Sequence, residues 1–325
     1  MSTRLSRAQY TVAIVGATGN LGKEISNIFL SSYKPFFPRV IAVLRDTTKP
    51  EAKALTERGA ELRQVDSANA VASFTRAFEG VDIVINAVGA SPLEYNNALF
   101  EGALKSGVRV YFPSEYGSDY RINDFPGWDF TLWLAKAEHV RKARQLAQGK
   151  VKIIAVYPGL FLEGALGVFG FDTANLTYTC VGSPDKKTAL TSKADVGRAL
   201  AEFSLLALSP DYSARVPDDA HIAGGNASYR EIRDIVQRVR EELGVQPKGE
   251  IVIKSQDYET FRAKVREEEI KSPAPGPLRH IMLLIAEGKM DFSENDDELI
   301  NPDESIWKWK TVEDYVREVG GRPFS

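Results

Sequence analysis

Short apolar runs alternate with amphipathic stretches through the first half of the chain. Val12–Val15, the RVIAVLRD segment from Arg39 to Asp46, Glu61–Val65, Val81–Val88, Val108–Ser114 and Val151–Gly159 read as strands. Glu51–Arg58, Ala70–Phe78, Tyr95–Lys105 and Lys136–Leu146 carry helical spacing between them. Unbroken apolar strands suit a sheet buried on both faces, and the alternation predicts parallel strands with right-handed helical crossovers. The pattern loosens after Gly159, where the segment from Leu160 to Lys187 is rich in Gly, Phe and Leu without a clear period. Ala194–Leu208 then reads as a helix, and His221–Ala223 as an apolar return to the sheet. Ser228–Leu243 is a strongly amphipathic helix, Ile251–Ile253 a strand and Asp257–Lys271 a charged helix. Ser272–Pro277 is a loop by composition, and the acidic stretch Ser293–Glu304 reads as a solvated loop. Trp307, Trp309, Val312 and Tyr315 are expected to pack the last segment onto the body.

The first strand runs straight into GATGNLG, with Gly16, Gly19 and Gly22 three residues apart and an amphipathic segment behind them. One glycine permits a tight turn, one lets backbone N–H groups approach a pyrophosphate, and one allows helix to pack on strand. The helix N-terminus adds partial positive charge. A glycine triplet between strand and helix is the fingerprint of dinucleotide binding, with Thr18, Asn20 and Leu21 in the same turn. The fold class expected is therefore α/β, a Rossmann-type doubly wound parallel sheet with a smaller C-terminal substrate-binding lobe. Residues 1–158 form the nucleotide-binding core in this reading, and residues 159–325 the lobe, with segments at about 190–225 returning to the core.

Composition narrows the setting. With 325 residues and a net charge of −3, the chain presents no global basic field for nucleic acid or anionic membrane. No apolar run approaches the ~20 residues that span a bilayer. The N-terminal MSTRLSRAQY has no hydrophobic stretch behind its arginines, so it does not read as a secretory signal. Cys180 is the single cysteine and reads as a small buried hydrophobe. His139, His221 and His280 lie far apart, and no metal site is expected. These features point to a cytoplasmic protein, monomeric or homodimeric, acting on a small molecule without nucleic-acid or membrane partners.

Arg45 stands at the end of the second strand, where a dinucleotide fold reads the adenosine ribose. An arginine there pairs with the 2′-phosphate of NADP, whereas Asp46 beside it suits the 2′-hydroxyl of NAD. Arg45 lies nearer the strand end, and Thr47, Thr48 and Lys49 add donors, so the balance favours NADP(H). Asp66 is placed to meet the adenine amino group, or simply ends a strand. The small residues of NAVGA, with Ala87, Val88 and Gly89, let backbone pass close to a cofactor. The FPSEYG turn brings Ser114, Glu115 and Tyr116 to the carboxyl end of the fifth strand, where ligands of open α/β sheets bind. Glu115 alternatively fixes that turn. Lys136 is either a surface helix lysine or the group that holds the nicotinamide ribose and relays a proton. No tyrosine stands four residues before it; that position is Leu132.

Together GATGNLG, the LRD strand end, EGVDIVINAVG, SGVRVYFPSEYG and the following lysine resemble the NmrA-like and isoflavone-reductase-like family of atypical short-chain dehydrogenases. YPGLFLEG, from Tyr157 to Gly164, is similar to the family's substrate-loop entry, and TSKADVG, from Thr191 to Gly197, to its return helix. The resemblance implies a Rossmann core, NADPH and reduction of small aromatic or conjugated substrates, with Lys136 as catalytic acid/base. It also admits a second class, regulators that bind the dinucleotide, act through a protein partner and do not turn the cofactor over. Glu115, Tyr116, Trp133, Tyr157 and Phe161 are the expected substrate contacts. Phe161, Phe169 and Phe171 line an apolar pocket or belong to plain core.

Overall fold

The computed structural model describes residues 9–323, so most of the N-terminal stretch weighed above as a signal lies outside the described residues. The first half is a regular alternation: β1 (Thr11–Val15), α1 (Asn20–Leu30), β2 (Arg39–Leu44), α2 (Pro50–Glu57), β3 (Glu61–Gln64), α3 (Ala70–Ala77), β4 (Ile83–Asn86), α4 (Leu93–Lys105) and β5 (Val110–Phe112). α5 (Thr131–Ala147) and β6 (Lys152–Ile153) complete a six-stranded parallel sheet in the order β3-β2-β1-β4-β5-β6. Side chains alternate across each strand, so Val12 and Ile14 join the core under α1, while Ala13 and Val15 join the one under α3 and α4. Both faces being buried explains why β1 reads as a continuous apolar run.

The expected strand over Val151–Gly159 is in fact two short ones, with a third just beyond it. β6 pairs with β5, β7 (Ala155–Tyr157) pairs with a late strand, and β8 (Leu160–Phe161) leaves the sheet altogether. The poorly periodic region after Gly159 holds α6 (Leu162–Ala165), β9 (Phe171–Asp172), β10 (Thr177–Val181) and β11 (Lys187–Thr191). Strands this short on small mixed sheets carry too few alternations to show a period. α7 (Lys193–Leu208) then packs across α1, helped by Gly197, where an added Cβ would meet Ile28 at 3.0 Å. Its apolar face of Val196, Ala199, Leu200 and Phe203 joins the core beneath α1.

β12 (Asp219–His221) runs parallel to β7 in a separate two-stranded sheet, so the stretch near His221 does not rejoin the six-stranded sheet as expected. β13 (Gly225–Ser228), α8 (Tyr229–Glu242), β14 (Val252–Gln256), α9 (Tyr258–Lys271) and α10 (Leu278–Ala286) follow. Two small sheets, β14-β10-β9 and β13-β11-β8, pack with α8 and α10 around a second core that includes Phe171, Tyr178, Cys180 and Tyr229. Ser228 begins α8 with a reciprocal capping box to Glu231.

The acidic stretch Ser293–Glu304 is not a simple solvated loop. It contains α11 (Asp297–Ile300), and both Ile300 and Asn301 are buried. The backbone N–H of His221 donates to the Asp296 carboxylate at 2.9 Å, and that of Ala223 to Asp297 at 3.2 Å. The carboxyl groups satisfy backbone donors at and just past the end of β12 that the pairing with β7 leaves open. α12 (Val312–Glu318) closes the chain against α8, and Trp309, Val312 and Tyr315 are buried as expected, with Trp307 half-buried beside them.

Candidate functional site

Gly16 has φ +79°, which only glycine adopts without strain, and its carbonyl accepts the Gly19 N–H at 2.9 Å to close the turn. Gly19 is the N-cap of α1 and supplies no side-chain oxygen, so the helix opens without an internal partner for its first N–H groups. Those donors and the helix dipole make an anion site. The side chains around them diverge. Leu21 is buried in the sheet core, and the exposed Asn20 accepts from Lys193 Nζ at 2.9 Å.

A cleft of about 350 Å³ opens beside this turn. Gly16, Thr18 and Gly19 form one wall, the end of β2 with Arg45, Asp46 and Lys49 a second, and Ala87 to Tyr95 a third. Among the described residues neither Arg45 nor Lys49 is within ion-pair distance of a carboxylate, whereas Asp46 accepts from Thr48 N at 2.9 Å and Thr48 Oγ1 at 2.7 Å. Those hydrogen bonds to Thr48 hold the Asp46 carboxyl below its usual range. Asp66 takes no part in the cleft wall. It is exposed and caps a single turn by accepting from Ala68 N at 2.9 Å.

The third wall is held from beneath. Buried Asn86 accepts from Val88 N at 3.1 Å and donates to Asn96 Oδ1 at 3.0 Å. Tyr111 extends the network to His139 Nε2 at 2.9 Å, whose Nδ1 lies 3.0 Å from Asn97 Oδ1. Burial pushes the His139 imidazole down to about 4, keeping it neutral. Reading the sequence found the small residues after Asn86 but not Asn86 or His139 as their support. Only the position of Asn86 at the end of an apolar strand could have signalled it.

Ser114 links the cleft to the end of β5, its Oγ donating to the Val88 carbonyl at 2.6 Å. Next to it, Glu115 is only 4 % exposed, and its carbonyl accepts from Lys136 Nζ at 3.1 Å. α5 starts at Thr131, earlier than the pattern placed it, because aromatic residues obscure its polar face; Lys136 thus sits in its second turn. Burial lowers the Lys136 ammonium, with the Glu115 carboxylate opposing that shift. Burial raises Glu115 in turn, against the pull of Lys136. A Glu115 carboxylate oxygen, Oε2, is buried without a hydrogen-bond partner.

The remaining expected substrate contacts do not converge. Tyr116 packs against the sheet core with its hydroxyl buried and unpartnered. Tyr157 is fully buried and donates to Asp219 at 3.3 Å. Trp133 is buried in the second core, edge-on to His280 at 5.7 Å. Phe161 is half-buried with Lys193 Nζ 5.9 Å from its ring centre. Phe171 stacks on Tyr229 at 4.4 Å as plain core, and Phe169 packs against the same cluster. Among the described residues no group of His, Cys, Asp and Glu is arranged to hold a metal ion, and no helix is long and apolar enough to cross a membrane.

This architecture has close counterparts. Isoflavone reductase superimposes with a TM-score of 0.74 at 18 % identity, covering 96 % of this chain and 100 % of that one. Leucoanthocyanidin reductase of Vitis vinifera, solved as a binary complex with NADPH, gives 0.69 at 16 % identity over 97 % of this chain and 99 % of its own. In sequence, the oxidoreductase aprR of Aspergillus flavus is 27 % identical over 196 residues, 60 % of this chain. That match spans 64 % of the length of aprR. The NmrA-like family model matches residues 8–213, which hold the glycine turn, the cleft, Lys136 and α7, and the chain belongs to the NmrA-like family.

Proposed function

We propose that this chain is an NADPH-dependent reductase of a small aromatic or conjugated substrate. The observation that carries the reading is the half-buried Lys136 ammonium, held on the Glu115 carbonyl and tied through Ser114 to the wall of the dinucleotide cleft. The site's chemistry fits the cofactor: uncapped N–H groups at α1 for the diphosphate, and Arg45 and Lys49, without a carboxylate partner among the described residues, for a 2′-phosphate. Asp46, the residue that would favour NAD, spends its carboxylate on Thr48. The NADPH complex of the structurally similar leucoanthocyanidin reductase supports the same choice.

When bound, the reduced nicotinamide supplies the hydride. Lys136 is the group placed to steady the negative charge that develops on the acceptor and to give it a proton. Desolvation makes its ammonium a better acid than a surface lysine. Glu115 orients that ammonium through its carbonyl. Asn86 and Ser114 fix the loop at Val88, so that the cofactor wall is set before ligand arrives.

The test pairs NADPH titration with turnover on a panel of conjugated carbonyl and aryl ether acceptors. Lys136→Met is expected to lose about a hundredfold in kcat while NADPH affinity stays within about twofold of wild type. Equal turnover in the variant overturns the role of Lys136. Tight NADPH binding with no turnover on any acceptor overturns the reductase in favour of a dinucleotide sensor.

A further inference from the structure

We propose that Lys193, at the start of α7, is a second clamp on the dinucleotide's diphosphate, reaching the glycine turn at the first residue of α1. The inference rests on the dinucleotide reading above and adds to it a residue from outside the β1–α1 motif.

The backbone of Lys193 is fixed. Ser192 caps α7, and the Lys193 N–H donates to both oxygens of Glu163 at 3.1 Å. From that anchor the side chain reaches over the Phe161 ring to Asn20 Oδ1. Asn20 is the first residue of α1, directly after the uncapped Gly19. The ammonium is therefore held on the side chain of the residue that opens α1.

Its partner is the wrong kind for a lysine at rest. Among the described residues no carboxylate lies within ion-pair distance of Lys193 Nζ, and its hydrogen-bond acceptor is a neutral amide oxygen. Glu163, brought next to it by the fold, accepts from its backbone amide and feels the ammonium's charge only from beyond ion-pair distance. An ammonium has three donors, so two remain for a ligand. An anionic diphosphate at the start of α1 supplies the missing charge, and the helix dipole draws it to the same place.

Lys193 differs from Arg45 and Lys49 in what it can distinguish. Those two stand at the far wall, where a 2′-phosphate separates NADPH from NADH. The diphosphate is common to NADPH, NADH and ADP-ribose, so Lys193 should support all three alike.

The experiment is a titration of the full chain with NADPH, NADH and ADP-ribose at low and high salt. Lys193→Met is expected to weaken all three by about tenfold and to flatten the salt dependence of binding. Lys193→Arg, which keeps the charge, is expected to restore most of the affinity. Arg45→Ala serves as contrast and should weaken NADPH alone. Unchanged affinity in Lys193→Met overturns the clamp, as does a loss confined to NADPH. A lower melting temperature with an unchanged salt dependence also overturns it, leaving Lys193 a packing residue. If the wild-type chain binds none of the three ligands, the dinucleotide reading itself fails and the clamp falls with it.

Discussion

A methyl group on Gly22 would land 2.1 Å from the Gly16 carbonyl oxygen, closer than any Cβ contact can be. The helix can relieve that only by moving off the turn, and the turn is what shapes the anion site. Gly22→Ala is therefore expected to cost about 1–3 kcal/mol and to weaken NADPH binding, read by thermal melting and titration. Gly89 is the control, since nothing lies within 4 Å of its Cβ position and the space beyond is the cleft. Gly89→Ala should melt like wild type and bind NADPH more weakly. Equal melting temperatures for the two variants would remove the steric argument for Gly22. At this scale the sequence exposes a residue when its type is unusual for its place, as with three glycines between strand and helix. Asn86 and His139 escape notice because a polar side chain reveals its duty only through partners such as Asn96, Asn97 and Tyr111, distant in the chain or hidden under the sheet. Lys193 is the same case: its neighbour Asn20 is brought to it only by the packing of α7 on α1.

The segment around α11 shows what an element can hide behind its composition. A run of acids reads as solvated because charge normally seeks water. Here Asp296 and Asp297 supply acceptors to N–H groups left open at the end of β12, and Ile300 pins the segment to the core. The cost falls on Asp297. Burial, reinforced by Asp296, Glu298 and Asp195 and opposed by the Ala223 N–H, pushes its carboxyl up to about 7. An acid whose folded pKa is raised holds its proton more tightly in the native state than in the unfolded one. Stability from this group is thus greatest below about pH 4 and declines as pH rises towards 7. Asp297→Asn keeps one acceptor for Ala223 and removes the ionisation. Its melting temperature is expected to exceed wild type by about 3 °C at pH 8 and to converge with it near pH 4. A gap that grows on acidification instead would reverse the sign and refute the burial argument. The inner strands of the first half, β1, β2 and β4, were legible because burial on both faces makes them near-continuously apolar. β8 to β11 were not, because each pairs over a few residues in a mixed sheet with no period to betray it.

At the scale of the whole molecule the chain leaves its six-stranded sheet with the next strand still unpaired. β7 follows β6 directly along the chain and finds its partner in β12, contributed after the excursion through β8 to β11. α7 covers the same face that α1 begins, with Val196, Ala199, Leu200 and Phe203 sharing a core with Ile25, Ile28 and Phe29. Tyr33 also donates to the buried Glu202 of α7 at 2.9 Å. Division of the chain at residue 158 therefore cuts sequence more cleanly than it cuts structure. A fragment of residues 1–158 would expose the α1 face and leave β7 without its outer neighbour, at a cost in buried apolar surface that a marginally stable domain cannot absorb. We expect that fragment to bind a hydrophobic dye, to melt without a cooperative transition and to lose NADPH binding, although it retains Gly16, Arg45, Ser114 and Lys136. The full chain should melt in one transition that NADPH shifts upward, because ligand binds the native state alone. A fragment that melts cooperatively and holds NADPH as tightly as the full chain does would show that α7 and β12 only decorate the core, and the clamp assigned to Lys193 would then have to fail as well.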